Sequence, residues 1–180
     1  MILETARLSL RPWREADAEN LYSFAKDPRI GPIAGWPVHT SPENSREIIR
    51  DVLSAEETYA VTIKGSDTAI GGIGLMIGKE SDLNITANEG EIGYWIAVPF
   101  WGQGYTPEAA RELMRHGFDD LGLTTLWCGY FDGNEQSRRV GEKCGFQYVR
   151  TEEKYWPLID ETKKQHITRL AGTDWYPDKL

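Results

Sequence analysis

The sequence predicts an α/β (α+β) domain in which one mixed β-sheet is flanked by helices. Three observations lead there. Segments with the period of a strand alternate along the chain with amphipathic helical ones. Several helical segments stop at a residue that breaks a helix, Pro28, Gly122 or Gly145. A chain of 180 residues is long enough for one domain with a full core and short for two. Residues 1–180 are read as that single domain.

The elements follow in order. ILETARLSLRPW, residues 2–13, sets Leu3, Thr5, Arg7, Ser9 and Arg11 against Ile2, Glu4, Ala6, Leu8 and Leu10, which reads as one strand with an apolar side. Asp17 stands before a short amphipathic helix with Leu21, Phe24 and Ala25 on one face, ended by Pro28. Residues 30–41 hold Gly31, Pro32, Gly35 and Pro37 and predict an irregular loop that carries Trp36. Ser41 and Pro42 open a helix with Ile48, Ile49 and Leu53 on its inner face. Residues 59–64 and 69–77 are paired strands joined through Gly-Ser-Asp, and residues 78–91 are polar and loop-like.

After them the chain predicts a strand over 91–98, a loop at Gly102 and Gly104, and a helix over 107–121 capped by Gly122. A strand at 125–130, a helix at 134–144 stopped by Gly145, and strands at 146–154 and 166–170 complete about seven strands and about four helices. Ala110, Leu113, Met114, Gly117 and Leu121 share the face of the long helix that packs on the sheet, and Arg111, Glu112 and Arg115 turn outward.

Composition narrows the function. Hydrophobic residues at 40% and charged residues at 27% belong to a soluble globular protein. The longest apolar run, near residues 94–101, is broken by Pro99 and cannot span a bilayer, so no membrane partner is expected. Glu4, Arg7 and Arg11 occupy the place of a signal peptide's apolar core, which points to the cytoplasm. A net charge of −8 argues against nucleic acid and favours amines or other cations. Cys128 and Cys144 are too few for a disulfide framework and read as small buried residues. His39, His116 and His166 lie far apart, so no metal site is expected.

Strand, glycine turn, helix is the arrangement in which the unpaired first amides of a helix point into the turn and, with the helix dipole, receive an anion. Gly102 and Gly104 allow positive φ and close approach, and Pro107 costs the first helical turn nothing. A plain tight connection explains the glycines equally well. A nucleotide-triphosphate loop would need Gly-Lys-Ser/Thr where Tyr105, Thr106 and Pro107 stand, and a dinucleotide fingerprint would need glycine at Pro107.

The wider context is more specific. EIGYWIAVPFWGQGYTPEAARELMRHGF, followed about thirty residues after the loop by NEQSRRVGEKCGF, resembles the acetyl-coenzyme-A motif of the GNAT N-acetyltransferase superfamily. LETARLSLRPWREADAENLYSFAKDP resembles the start of its RimJ/RimL-type branch (ribosomal-protein alanine N-acetyltransferase-like), and KKQHITRLAGTDW that branch's last strand. The resemblance implies a sheet splayed between its fourth and fifth strands. It also implies acetyl-CoA as co-substrate, no metal, and transfer of the acetyl group to an amine acceptor in a ternary complex. A protein N-terminus and a small amine both remain open as acceptor, and so does a homodimer. A non-catalytic acyl-CoA-binding or regulatory module is the alternative reading.

By the same resemblance, backbone at Ile96, Ala97 and Val98 binds the pantetheine arm, with an amide near Ala97 polarising the thioester carbonyl. The loop of Trp101, Gly102, Gln103, Gly104, Tyr105 and Thr106 holds the pyrophosphate. It departs from the family's [QR]-x-x-G-x-[GA] at Trp101 and at Thr106, whose hydroxyl is a further phosphate contact. Glu91 is the candidate base, with a raised pKa if it sits in a partly apolar cleft, against a plain surface glutamate. Asn134 and Ser137 match the family's N-x-x-S, which implies that both contact the cofactor, Asn134 at its arm and Ser137 at its sulfur; Asn134 is also a natural N-cap. Ser137 is the favoured proton donor to the departing thiolate and Tyr130 its rival. Arg138, with Arg139 and Lys143, is placed at the 3′-phosphate or on a solvated face. Apart from the resemblance, Trp36 and Trp95 are placed at the acceptor, against the core role that tryptophan usually has.

Overall fold

Thr5 ends the first strand after two residues. Its hydroxyl accepts hydrogen bonds from the amides of Arg7 at 3.3 Å and Leu8 at 2.8 Å, and the chain reverses there. In the computed structural model, which describes residues 1–176, the one strand expected over residues 2–13 is therefore a hairpin. Its arms are β1 (Leu3–Glu4) and β2 (Leu8–Pro12), antiparallel with Leu3 opposite Leu10. Alternation restarts after a turn, so Leu3, Leu8 and Leu10 are buried while Ile2 is exposed.

The remaining elements are α1 (Ala18–Ala25), α2 (Gly31–Ala34), α3 (Pro42–Ile48), β3 (Thr58–Ile63), β4 (Ala69–Ile77), β5 (Glu89–Ile96), α4 (Tyr105–Arg115), β6 (Thr125–Phe131), α5 (Glu135–Lys143), β7 (Gln147–Trp156) and β8 (Glu161–Ala171). The helix count exceeds the expected four because one turn, α2, forms inside the loop predicted to be irregular: Pro32 fits its first turn, and Gly35 ends it at φ 90°. β5 stops at Ile96, two residues early, because Val98–Phe100 winds into a 3₁₀ turn around Pro99. The last two strands are longer than predicted and meet across residues 157–160.

Leu121 does not join the inner face of the long helix. After Arg115 the helix widens, so that the Leu121 amide bonds the carbonyl of His116, five residues back, and Leu121 is left 39% exposed. Ala110, Leu113 and Met114 are buried as expected.

The sheet order is β1-β2-β3-β4-β5-β6-β8-β7. It is mixed: β5 and β6 run parallel, whereas β1/β2, β2/β3, β3/β4, β6/β8 and β7/β8 are antiparallel. The parallel ladder is registered over three pairs, from Glu89 with Thr125 to Glu91 with Trp127, although both strands continue. The splay expected between the fourth and fifth predicted strands falls here.

Packing divides the chain into two compact units, Met1–Gly74 with Tyr94–Ala109, and Leu75–Gly93 with the chain from Ala110 onward. In the first, Trp13, Leu21, Ala25, Ile49, Ala60 and Ala69 form the core, with Trp36, Leu53 and Trp95 packed against it. Arg11 is buried there but fully engaged. Its guanidinium bonds both carboxylate oxygens of Asp17, at 2.7 and 2.8 Å, and reaches Asp67, which offsets the cost of burying charge. In the second unit Leu75, Ile92, Leu113, Met114, Leu126 and Ile167 are buried. Gly117 lets α4's extension approach Leu75 and Leu126, where a Cβ would stand 3.4 and 3.5 Å away. Among the described residues no helix is long and apolar enough to cross a membrane.

Candidate active site

In the first unit, residues 96–106 turn a strand end into a helix start. Ala97 still belongs to the sheet: its amide donates to the Ile70 carbonyl at 2.8 Å. That commits the Ala97 amide, the donor expected near the thioester carbonyl, to the sheet. Trp101 folds back, its indole N–H donating to the Ile96 carbonyl at 2.7 Å, and the Gln103 side chain donates to the Pro99 carbonyl at 3.2 Å. An aromatic residue where the motif usually has Gln or Arg thus closes the turn onto its own strand.

Gly102 and Gly104 take φ of 75° and 78°, values costly for any residue with a Cβ. Nothing lies within 4 Å of a Cβ built at Gly102. The amides of Gly102, Gln103 and Gly104 donate to no acceptor among the described residues. Tyr105 and Thr106 begin α4, whose first amides have no partner inside a helix. This run of donors at a helix start fits a phosphate group.

Arg7 stands beside the loop. It donates to the Gln103 carbonyl at 3.1 Å, lies over the Tyr105 ring at 4.6 Å, and pairs with Glu108 in the first turn of α4 at 2.6 Å. Glu108 also accepts from the Thr5 hydroxyl at 2.6 Å and the Arg7 amide at 2.9 Å. Burial works against its charge, yet these donors hold the Glu108 carboxyl below the usual range.

Val98 lines a cavity of about 240 Å³ with Phe24, Ile30 and Pro99, where the ion pair of Asp27 and Arg29 also sits. Trp36 and Trp95 come together edge to face at 6.0 Å, and Trp13 stacks on Trp95 at 6.3 Å. Gly72 makes this possible: a Cβ there would be 2.7 Å from the Trp95 indole nitrogen.

The second unit carries the other candidates. Glu91 lies on β5 opposite Trp127, with Oε2 accepting from the Ser81 hydroxyl at 2.6 Å. Burial pushes its carboxyl above the ordinary range; Ser81 pulls the other way, Asp82 adds to the rise and Lys154 opposes it. On β6, the Tyr130 ring is 5.0 Å from that of His166, and burial raises its phenol. His166 is bonded to Thr151 at 2.8 Å and Asp132 at 2.9 Å. Asn134 caps α5, its side chain accepting from the Ser137 amide at 3.1 Å. Arg138 is held by Glu135 at 2.6 Å and Glu142 at 2.7 Å, so much of its charge is met within the helix. No group of three or more His, Cys, Asp or Glu suited to a metal ion occurs among the described residues.

Residues 7–147 match the acetyltransferase (GNAT) domain. The chain belongs to the GNAT acetyltransferase family. Among its relatives is an FsC-acetyl coenzyme A-N(2)-transacetylase of Aspergillus fumigatus, 26% identical over 159 residues, which are 83% of this chain and 66% of the fungal protein. The chain thus spans just under two thirds of that relative's length. A GNAT acetyltransferase from Bacillus anthracis has the same fold, with a TM-score of 0.83, 21% identity, and coverage of 96% of this chain and 99% of that one. So does a ribosomal-protein-S5-alanine acetyltransferase from Vibrio fischeri, with a TM-score of 0.74, 19% identity, and coverage of 98% and 100%.

Three residues of this GNAT chain that stand by the candidate groups escaped the sequence. Arg7 looked like one more outward strand position, and its partner Glu108 is 101 residues away. Ser81 lay in a polar stretch with no periodicity to aim it. Trp13 was the last residue of the predicted first strand and one of seven tryptophans. Only tertiary contact distinguishes them.

Proposed function

We propose that this protein transfers an acetyl group from acetyl-CoA to a primary amine, directly and in a ternary complex. The observation that carries the reading is the donor loop: two glycines at positive φ, amides without acceptors, and a helix starting at Tyr105. Acetyl-CoA supplies the activated acyl group as a thioester. The backbone at Ile96, Ala97 and Val98 holds the pantetheine arm, and amides from 102 to 106 hold the pyrophosphate, with Thr106 adding its hydroxyl. Asn134 touches the arm while capping α5. Arg138, with Arg139 and Lys143, faces the 3′-phosphate, for which Arg138 exchanges part of its ion pairing.

Glu91 takes the proton from the incoming amine, directly or through water, since a carboxylate raised by burial is a better base near neutral pH. Ser137 returns a proton to the leaving thiolate, with Tyr130 as the rival donor. Trp36 and Trp95 wall the acceptor. The acceptor is a protein N-terminus or a small-molecule amine, and the opening segment's resemblance to the RimJ/RimL-type branch favours the first.

A thiol-release screen with acetyl-CoA, N-terminal peptides and small amines tests the reading. Coenzyme A should raise the melting temperature by linkage, and Gly104→Val should abolish that rise by filling the loop. Release with peptides and not with polyamines or aminoglycosides is expected. Binding of coenzyme A with no release for any amine would make the protein a non-catalytic acyl-CoA-binding module.

A further inference from the structure

Ser81 and Glu91 meet at 2.6 Å, with the hydroxyl donating to the carboxylate. The ionised Glu91 carboxylate can only accept, so the hydroxyl's single proton goes to Glu91 Oε2, while the Ser81 oxygen accepts from the Leu83 amide at 3.1 Å. The serine cannot swing away readily. It is 8% exposed, and its own amide is bonded to the Gly78 carbonyl at 3.1 Å. Gly78 sits at φ 55° with its Cβ position 3.0 Å from the Ala87 backbone, which pins the turn.

We infer that Ser81 is the positioning residue of Glu91: it holds Oε2 and leaves Oε1 as the oxygen that takes the proton. This rests on Glu91 being the base of the proposed reaction. The charged groups facing Glu91 are Asp82 and Lys154, which pair with each other at 3.1 Å and act on the carboxyl in opposite directions. The register partner from β6, Trp127, carries no charge. Ser81 is thus the neutral donor that favours the ionised form against burial and leaves one carboxylate oxygen free. A hydrogen bond to a charged group is among the strong ones, and losing it lets the carboxylate take up a proton more readily.

The test is a ¹³C NMR titration of the Glu91 carboxyl, together with pH profiles of kcat/KM for the amine found by thiol release. In Ser81→Ala the Glu91 titration should move up by about one pH unit, and the acid limb of kcat/KM should move with it. Rates below that limb should fall about tenfold, with the alkaline plateau kept within a few-fold. Ser81→Thr retains the donor and should restore both readouts. An unmoved Glu91 titration in folded Ser81→Ala overturns the inference, and so does an equal loss of rate at every pH. Failure of Glu91 as base is read separately: Glu91→Gln would then leave rate and profile unchanged, whatever Ser81→Ala does to the titration.

Discussion

Arg7 and Glu108 stand 2.6 Å apart across 101 residues of sequence, joining the turn between β1 and β2 to the first turn of α4. Glu108 places a negative charge at the helix end where a phosphate is proposed to bind, and Arg7 offsets it. Arg7→Ala should therefore weaken coenzyme A binding by about three- to tenfold, since a partly exposed pair contributes on the order of 1 kcal/mol. Adding Glu108→Gln should recover most of the loss, because the charge that needed offsetting is gone. Titration calorimetry at two salt concentrations checks this. A double variant as weak as Arg7→Ala would mean that the guanidinium contacts the phosphate itself.

Glu91 should trade stability for function. Its carboxyl is raised in the folded protein, chiefly by burial, so the folded state holds that proton more tightly than the unfolded chain. The resulting stability is present below the ordinary glutamate range and is lost as pH rises through the folded value. Glu91→Gln removes a buried charge while keeping an acceptor for Ser81. Its melting temperature should exceed wild type at pH 8, and the difference should shrink or vanish near pH 4. Thermal unfolding across that range measures it; a gap that grows on acidification would place the cause elsewhere.

The strand and helix pattern was legible because periodicity reports burial, and burial is what a sheet with helices on it imposes. Thr5 shows where this stops. Alternation through residues 2–13 is equally compatible with one strand and with a hairpin, and a hydroxyl bonded to two amides chose the hairpin. The glycine loop was legible for the opposite reason, since positive φ at Gly102 and Gly104 leaves its mark in residue type. Arg7, Ser81 and Trp13 carry no such mark. Each acts through a partner distant in sequence or set in an aperiodic loop.

Gly141 lies buried inside α5, and a Cβ there would meet only Phe146 Cβ, at an ordinary 3.9 Å. Gly141→Ala should raise stability by about 0.5–1 kcal/mol, through a less flexible unfolded chain. If the glycine instead keeps room for the adenine side of coenzyme A, the same variant will be more stable yet bind coenzyme A less well. Denaturant unfolding and a binding titration on one preparation separate the two.

Ser137 and Tyr130 differ in how cleanly they can be tested as the thiolate's proton donor. Ser137→Ala keeps the backbone amide that donates to Asn134, so the cap of α5 survives. Tyr130→Phe keeps the ring beside His166 and removes only the hydroxyl. Neither change should disturb cofactor affinity. A donor used only as the C–S bond breaks acts on the transition state, so its loss lowers kcat with acetyl-CoA affinity nearly unchanged. General acid catalysis is typically worth about 10²- to 10⁴-fold, far above the few-fold loss from slight repositioning. Burial makes the Tyr130 phenol harder to ionise than an ordinary tyrosine, so it stays protonated and able to donate. Under saturating acetyl-CoA the larger fall in kcat should come from Ser137→Ala. A larger fall from Tyr130→Phe would move the role to the tyrosine, and small falls from both would mean that water or the amine's own proton reaches the sulfur.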